Sequence, residues 1–227
     1  MDKAFFISGT DTGCGKTLAA ESLLIALGSR GLMAAGMKPV ATGAEVTANG
    51  LVNGDVVRLQ KRSTIPLVHA EINPYCFNTP CSPNFAAETA GVEIGLEKIE
   101  TAFRQLALRA DIIIVEGIGG WRVPLSARLH AGDIARQLKL PVIFVTGLKL
   151  GCINHTLLSI EAIAGDGIPL KGWIANYVDP GYTTGGETID FLRSRIAAPL
   201  LGVFPCSNNH SVSGEEMWEN LDVSALL

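Results

Sequence analysis

A glycine-rich run near the N-terminus constrains the fold most strongly. The run Gly9–Thr17 (GTDTGCGKT) follows a short apolar stretch, Ala4 to Ser8, and leads into a stretch with leucines at helical spacing. A strand that ends in such a loop and is followed by a helix presents backbone N–H groups and a positive helix end to an anion. The sequence therefore predicts a phosphate-binding loop. Its predicted nucleotide contacts are Gly13, Cys14, Gly15, Lys16 and Thr17.

Two side chains at the end of this loop have the chemistry that a magnesium nucleotide requires. Lys16 would reach the β- and γ-phosphates, and the Thr17 hydroxyl would bind Mg²⁺. One position departs from the usual pattern, because Thr10 stands where a glycine is expected and the glycine lies one residue earlier, at Gly9. A chance Gly-Lys-Thr at an ordinary strand-to-helix turn is the alternative explanation. The flanking strand and helix signals disfavour it.

The rest of the chain alternates between strand-like and helix-like segments, which is typical of crossover units in a parallel sheet. The predicted strands are Ala4 to Ser8, Leu32 to Lys38, Asp111 to Glu116, Val142 to Thr146, Gly172 to Val178 and Leu200 to Phe204. The predicted helices are Lys16 to Gly28, Ile94 to Arg109, Ile153 to Ala164 and Glu187 to Ile196. We expect a single-domain α/β P-loop NTPase fold over residues 1–227, with a mostly parallel sheet covered by helices on both faces.

Two segments do not follow this alternation. Val40 to Pro83 is rich in Gly, Asn and Pro, which indicates turns, and we interpret it as an elaborated active-site segment. The polar stretch that begins at Ser207 ends in a short apolar tail, and its conformation is not predicted.

Charge and composition narrow the class of partner. The formal net charge is −4 and there is no long Lys/Arg run, so we expect no nucleic-acid surface. No stretch reaches the roughly 18 uninterrupted apolar residues of a spanning helix, and the apolar run at the N-terminus is too short for a signal-peptide core. The five cysteines are scattered, as expected of reduced thiols in a cytoplasmic protein. A small-molecule partner is the expectation.

Two acidic residues and a lysine are further candidates. Glu116 ends the most hydrophobic strand and precedes a glycine-rich turn, so its carboxylate is expected at the ligand-binding edge of the sheet, where it could bind Mg²⁺. An ordinary acid at a strand end is the alternative. Local sequence favours Asp55 as a helix N-cap. Lys38 precedes a proline at a strand end, where it is either a surface lysine or a cation for phosphoryl transfer.

The ordered set of short motifs resembles the dethiobiotin synthase family over about residues 5 to 205. The motifs that carry this resemblance are Gly9–Thr17, Lys38–Val40, Asn73–Tyr75, Val115–Trp121, Lys149–His155, Asn176–Asp179 and Pro199–Gly202. The resemblance implies a homodimeric, Mg²⁺- and ATP-dependent cyclo-ligase. In this family an amine of 7,8-diaminopelargonate captures CO₂ as a carbamate, ATP phosphorylates the carbamate, and the second amine closes a cyclic urea with loss of phosphate.

The same resemblance implies a role for each matching residue. Thr17, Asp55 and Glu116 match Mg²⁺ ligands, and Lys16 and Lys38 match catalytic lysines around the γ-phosphate and the carbamate. Thr12 matches a catalytic residue near the substrate nitrogens, and Thr42 stands where a serine helps bind the carbamate. Asn176 matches the adenine-reading residue, and Pro205, like Glu116, is assigned to the nucleotide. Gly151, Cys152, Ile153 and Asn154 match the segment that receives the substrate carboxylate from the neighbouring subunit; read alone, this stretch is a plain helix start.

Two loop residues depart from the family. Gly13 replaces a glutamate of some members, so any role of that acid is absent or is supplied by Glu116. Cys14 replaces a common valine, and its place at a helix N-terminus beside Lys16 suggests a thiol sensitive to oxidation.

Three other functions are alternatives to the ligase. A partitioning-type ATPase that acts on protein partners would carry a lysine at the position of Asp11. A ligase of corrin synthesis would need a glutaminase domain, for which this chain is too short. A module that only sequesters nucleotide would not require Glu116 before its glycine-rich turn.

Overall fold

Short, apolar and β-branched segments form a parallel sheet at the centre of the molecule. The computed structural model describes residues 4–206 and 213–227. The strands are β1 (Ala4–Gly9), β2 (Ala34–Met37), β3 (Val40–Ala41), β4 (Glu45–Thr47), β5 (Gly50–Val52), β6 (Tyr75–Cys76), β7 (Ile112–Glu116), β8 (Val142–Leu148), β9 (Leu170–Tyr177) and β10 (Leu200–Phe204). Six of them form the central sheet in the order β10-β9-β8-β1-β7-β2, and every pair is parallel.

Helices connect the strands of this sheet. They are α1 (Lys16–Gly28), α2 (Gly54–Arg62), α3 (His69–Ile72), α4 (Pro83–Thr89), α5 (Leu96–Ala107), α6 (Ala131–Leu138), α7 (Cys152–Gly165), α8 (Gly185–Arg195) and α9 (Gly214–Met217), with 3-10 turns at Trp218–Asn220 and Ser224–Leu226. The six predicted strands and four predicted helices are confirmed, with ends shifted by a few residues.

Successive residues of the central strands pack into two different cores. Phe5 and Ile7 of β1 lie in one core with the leucines of α1, whereas Phe6 lies in the other with Trp121. This burial of both faces explains the near-continuous hydrophobicity of strands such as β7, all five residues of which are buried. The C-terminal segment from Ser213 also belongs to the fold, because Met217, Leu221, Val223 and Leu226 are buried in the α1 core.

Helix α6 was not predicted, and a tertiary contact explains why. Gly132 lowers the helix propensity of this short segment. A Cβ at this position would lie 2.5 Å from the Trp121 ring, so the close approach of the helix to that ring requires glycine.

The segment 40–83 is irregular, as predicted, but it contains short paired elements. Strand β3 pairs in parallel with β6, and β4 forms an antiparallel hairpin with β5. The expectation that Asp55 caps a helix was wrong. Asn53 is the N-cap of α2, because its Oδ1 accepts hydrogen bonds from the backbone N–H groups of Asp55 and Val56, at 3.0 and 3.4 Å. The Asp55 side chain is left available for other contacts.

The Asn53 cap leads to a prediction on stability. Asn53→Ala removes the cap and the hydrogen bond from Nδ2 to the Thr42 carbonyl, so the free energy of unfolding should fall by about 1–2 kcal/mol in a urea titration. Asn53→Asp keeps the accepting oxygen and should lose less. An Asn53→Ala protein as stable as the unaltered chain would contradict the capping role.

Candidate functional site

The loop between β1 and α1 has the backbone of a phosphate cradle. Gly13 and Gly15 have φ values of +83° and +99°, in the left-handed region that favours glycine. Space is also limiting at Gly15, where a Cβ would lie 2.1 Å from Asn176 Nδ2. The strand, loop and helix follow one another as predicted, with α1 beginning at Lys16.

The glycine at position 9 has a packing explanation. A Cβ there would lie 2.4 Å from Cys14 Sγ and 2.9 Å from the Val145 carbonyl oxygen. Its absence lets the loop fold back over the end of β1, and the Cys14 thiol fills that space with no exposed surface. In this conformation an oxidant cannot reach the buried Cys14 thiol, which argues against the suggested sensitivity to oxidation.

Lys16 is 6% exposed and folds back over its own loop. Its Nζ donates to the Asp11 carbonyl at 2.7 Å and lies 3.8 Å from Cys14 Sγ. Both of these acceptors are uncharged groups rather than carboxylates. An incoming phosphate oxygen could replace the carbonyl of Asp11 as its acceptor.

Four polar side chains meet beside this loop. Glu116 is the last residue of β7, and its Oε1 accepts from Thr17 Oγ1 at 2.7 Å and from Lys38 Nζ at 2.5 Å. Lys38 Nζ also donates to Asp55 Oδ2 at 2.8 Å. Lys38 and Glu116 are almost completely buried, whereas the Asp55 side chain is 40% exposed. The structure thus brings together residues from β1–α1, β2–β3, α2 and β7.

Burial and charge act in opposite directions on these groups. Burial works to lower the pKa of Lys38, but the carboxylates of Glu116 and Asp55 outweigh it and raise that pKa. Burial works to raise the pKa of Asp55, but the Lys38 charge and the hydrogen bond that Lys38 donates lower it overall. For Glu116, burial dominates over Lys38, and the repulsion of Asp55 adds to it, so the pKa is raised. An additional cation here would stabilise both carboxylates as anions.

The oxygen atoms of this cluster fit a magnesium ion. Glu116 Oε2 is buried and has no hydrogen-bond partner among the residues that the structure describes. One hydroxyl and two carboxylates are the kind of partial ligand set that Mg²⁺ accepts when phosphates and waters complete its shell. Among residues 4–206 and 213–227, no three His, Cys, Asp or Glu side chains form a metal site by themselves. A metal held here would thus depend on the phosphates as well as on the protein.

A cavity of about 910 Å³ opens over the loop and the cluster. Its lining includes the predicted residues Thr12, Gly13, Gly15, Lys16, Thr17, Lys38, Thr42, Asp55 and Glu116. It also includes Asn53, Arg58 and Ser82, which the sequence analysis did not single out as site residues. Arg58 lies three residues after Asp55 on the amphipathic helix α2, and this spacing was the signal that could have identified it.

Two residues assigned to the nucleotide, Asn176 and Pro205, are not part of the lining of this cavity. Asn176, near the end of β9, is 6% exposed, and its Nδ2 donates to the Cys14 carbonyl at 3.0 Å. Pro205 is exposed and follows β10, the strand that pairs with β9. Both residues stand at the carboxyl ends of neighbouring strands, the usual edge for ligands in an open α/β sheet.

The segment Gly151–Asn154 forms the start of α7 and is not part of the lining of that cavity. Gly151 caps the helix with a φ of +91°, and Gly151 and Asn154 are exposed, whereas Cys152 is buried. The preceding Lys149 pairs with Asp11 at 2.7 Å, which ties the segment to the phosphate loop. The exposed N–H groups of this helix end are chemically suited to a carboxylate.

None of the helices within 4–206 and 213–227 is both long and apolar enough to cross a membrane.

Comparison with known proteins places this site in a family. The family model described as "AAA domain" matches residues 3–215. The chain is 50% identical over 203 residues to the ATP-dependent dethiobiotin synthetase BioD of Pseudomonas paraeruginosa, covering 89% of each chain. It is 50% identical over 203 residues to the protein of the same name from Aromatoleum aromaticum, covering 89% of this chain and 90% of that one. The Xanthomonas oryzae pv. oryzae protein is 48% identical over 202 residues, with coverage of 89% and 90%.

Solved structures support the fold class. The cell division protein MinD of Aquifex aeolicus aligns with a TM-score of 0.55 at 14% identity, covering 91% of this chain and 83% of that one. MinD of Pyrococcus horikoshii, in complex with Mg-ADP, aligns with a TM-score of 0.53 at 16% identity, covering 89% and 81%. At such low identity these likenesses establish the P-loop α/β fold alone. The sequence relatives are far closer, and the chain belongs to the ATP-dependent dethiobiotin synthetase family.

Proposed function

We propose that this protein is a ligase that uses ATP to convert 7,8-diaminopelargonate and CO₂ into dethiobiotin, a step of biotin synthesis. The relatives that are 48–50% identical bear the name of that activity. The observation that carries the proposal is the cluster of Thr17, Lys38, Asp55 and Glu116 beside the phosphate loop. It combines a buried ammonium group with metal-binding oxygens at the place where a γ-phosphate would lie.

The loop and the acidic side chains hold the nucleotide in this proposal. Lys16 and the loop N–H groups bind the β- and γ-phosphates, and Thr17, Asp55 and Glu116 hold Mg²⁺. When bound, the ion neutralises phosphate charge that builds up during transfer. Asn176 reads the base, because its side-chain amide can donate and accept on one base edge, and Pro205 also contacts the nucleotide.

Lys38, Thr12 and Thr42 act on the diamine substrate and on the carbamate that it forms with CO₂. One amine of the substrate forms a bond to CO₂ and releases a proton, which leaves a carbamate anion. Lys38 neutralises this anion, the Thr42 hydroxyl donates to it, and Thr12 positions the substrate nitrogens. A carbamate oxygen then attacks the γ-phosphorus and ADP leaves. The lysines stabilise the phosphoryl oxygens electrostatically, so no side chain has to form a covalent bond.

Ring closure completes the reaction. The second amine attacks the carbamate carbon, loses a proton, and expels inorganic phosphate from the mixed anhydride. The anhydride is prone to hydrolysis, so the walls of the cavity must keep water away while the amine is held close. Gly151, Cys152, Ile153 and Asn154 of a second subunit receive the distal carboxylate, which makes the working unit a homodimer in the cytoplasm.

A partitioning-type ATPase, whose fold is similar, is not favoured. Such a protein would carry a lysine where this chain has Asp11, which instead pairs with Lys149. The two functions differ in what the release of phosphate from ATP requires. The ligase needs only its small-molecule substrates, whereas the partitioning-type ATPase acts on protein partners.

The direct test follows the product. Incubation of the purified protein with ATP, Mg²⁺, bicarbonate and 7,8-diaminopelargonate should yield dethiobiotin, identified by mass, with one phosphate released per product molecule. Omission of the diamine should stop phosphate release. Phosphate that appears only with a macromolecular partner, without any cyclic urea, would overturn the proposal.

Removal of the loop lysine should abolish turnover. Lys16→Ala takes away the buried cation at the phosphates, and kcat/KM should fall by at least about 1000-fold. Lys171→Ala, a change of an exposed lysine on β9, is the matched control and should leave kcat/KM within about twofold. Comparable rates for the two variants would remove Lys16 from the catalytic machinery.

The metal requirement should depend on Glu116. Glu116→Gln keeps the shape of the side chain but removes its charge, so the Mg²⁺ concentration for half-maximal rate should rise by about 10-fold or more. Glu93→Gln, at an exposed position, should leave it unchanged. A normal magnesium titration of the Glu116→Gln protein would show that Glu116 does not hold the metal.

A further inference from the structure

The motif Asn73–Tyr75 is part of the family resemblance, yet the proposed mechanism uses none of its residues. Asn73 is the C-cap of the short helix α3 and is 4% exposed. It does not belong to the lining of the 910 Å³ cavity. A buried polar side chain outside the site needs a separate explanation, because its burial costs free energy unless its hydrogen bonds repay it.

Those hydrogen bonds lead to the catalytic cluster. Asn73 Nδ2 donates to the Lys38 carbonyl at 2.6 Å and to the Tyr75 carbonyl at 3.0 Å. The Lys38 N–H in turn donates to the Ile72 carbonyl at 2.8 Å. The backbone of Lys38 is thus held on both its N–H and its C=O by the segment that contains Asn73.

The position of Lys38 in the chain makes this clamp important. Strand β2 ends at Met37 and lies at the edge of the sheet, so Lys38 is beyond the last residue that the β2–β7 ladder holds. The next residue, Pro39, has no N–H to donate. Its carbonyl accepts from the Tyr75 N–H at 3.1 Å, where β3 and β6 begin to pair.

The Lys38 side chain has to make two contacts at the same time. Its Nζ must reach Glu116 and Asp55, at 2.5 and 2.8 Å, from two different elements. A backbone displacement of 1 Å at Lys38 would force the side chain to adjust in order to keep both contacts. Misplacement of this size can cost on the order of 100-fold in rate.

We infer that Asn73 is a positioning residue, whose side-chain amide fixes the backbone of Lys38 so that its ammonium group meets the carbamate and the γ-phosphate. This inference rests on the proposed function, since it assigns Asn73 a role through Lys38. Asn73 itself touches no substrate. The alternative is that Asn73 only caps α3 and stabilises the fold.

The test separates positioning from stability. Asn73→Ala removes both donated hydrogen bonds, and kcat for dethiobiotin formation should fall about 10- to 100-fold. The affinity for ADP, measured by calorimetry, should stay within about twofold, because the phosphate loop is untouched.

Tyr75→Phe is the matched control. It removes the hydrogen bond from the Gly95 N–H to the Tyr75 hydroxyl in the same segment, and it should lower Tm without a comparable loss of kcat.

A double-variant cycle distinguishes a positioning role of Asn73 from a purely structural one. If Asn73 acts through Lys38, Asn73→Ala should slow the unaltered enzyme but should not further slow a Lys38→Ala enzyme. Independent losses that multiply in the double variant would overturn the inference. So would an Asn73→Ala enzyme with kcat within twofold of the unaltered chain.

Two further measurements keep the outcomes distinct. If Asn73→Ala fails to fold, Asn73→Ser is the second variant, because serine retains one shorter donor. It should show the same selective loss of kcat at unchanged ADP affinity. A proportional loss of kcat and of ADP affinity would overturn the inference. If the unaltered protein makes no dethiobiotin, the proposed function fails. If it does and only Lys38→Ala is inactive while Asn73 variants are normal, the positioning role alone fails.

Discussion

The buried ammonium group of Lys38, held between Glu116 and Asp55, is the interaction on which the site depends. Removing one partner from a buried ion pair costs about 3–5 kcal/mol, because the other charge is left in a medium that solvates it poorly. This buried pair lies at the carboxyl ends of β7 and β2. That edge is also where the phosphate loop leaves β1, between β7 and β8. Charge, loop and cavity therefore coincide because of strand order.

The cluster gives a physical reason for a metal and a polyphosphate to bind together here. Glu116 carries one carboxylate oxygen that Thr17 and Lys38 satisfy and one that lacks a partner. Burial raises the pKa of this acid, so the carboxylate gains from any further cation nearby. A nucleotide that brings Mg²⁺ would supply that cation and would itself be held by Lys16. Each ligand thus improves the binding of the other.

Loops outside the sheet position two side chains of the cluster. Asn53 caps α2, in which the Asp55 carboxylate pairs with Lys38, while Asn73 holds the backbone of Lys38. Both asparagines lie in the irregular segment 40–83. The segment therefore orders two members of the cluster, although it contributes little to the central sheet.

The sequence alone determined the parallel sheet, the phosphate loop and the family. The sheet and the loop depend on local features, because a buried strand, a glycine with positive φ and an amphipathic helix can each be recognised from neighbouring residues. The family was recognised from short motifs along the chain. Glu116 was found in the same way, from a strand end followed by glycines. The helix α6 and the cap at Asn53 were not found, because they depend on Trp121 and on competition between two nearby capping residues. Only the tertiary structure decided whether Lys38 is a surface residue and which groups Asn73 contacts. Their partners are 78 and 35 residues away in the chain, and no local pattern records a contact over that distance.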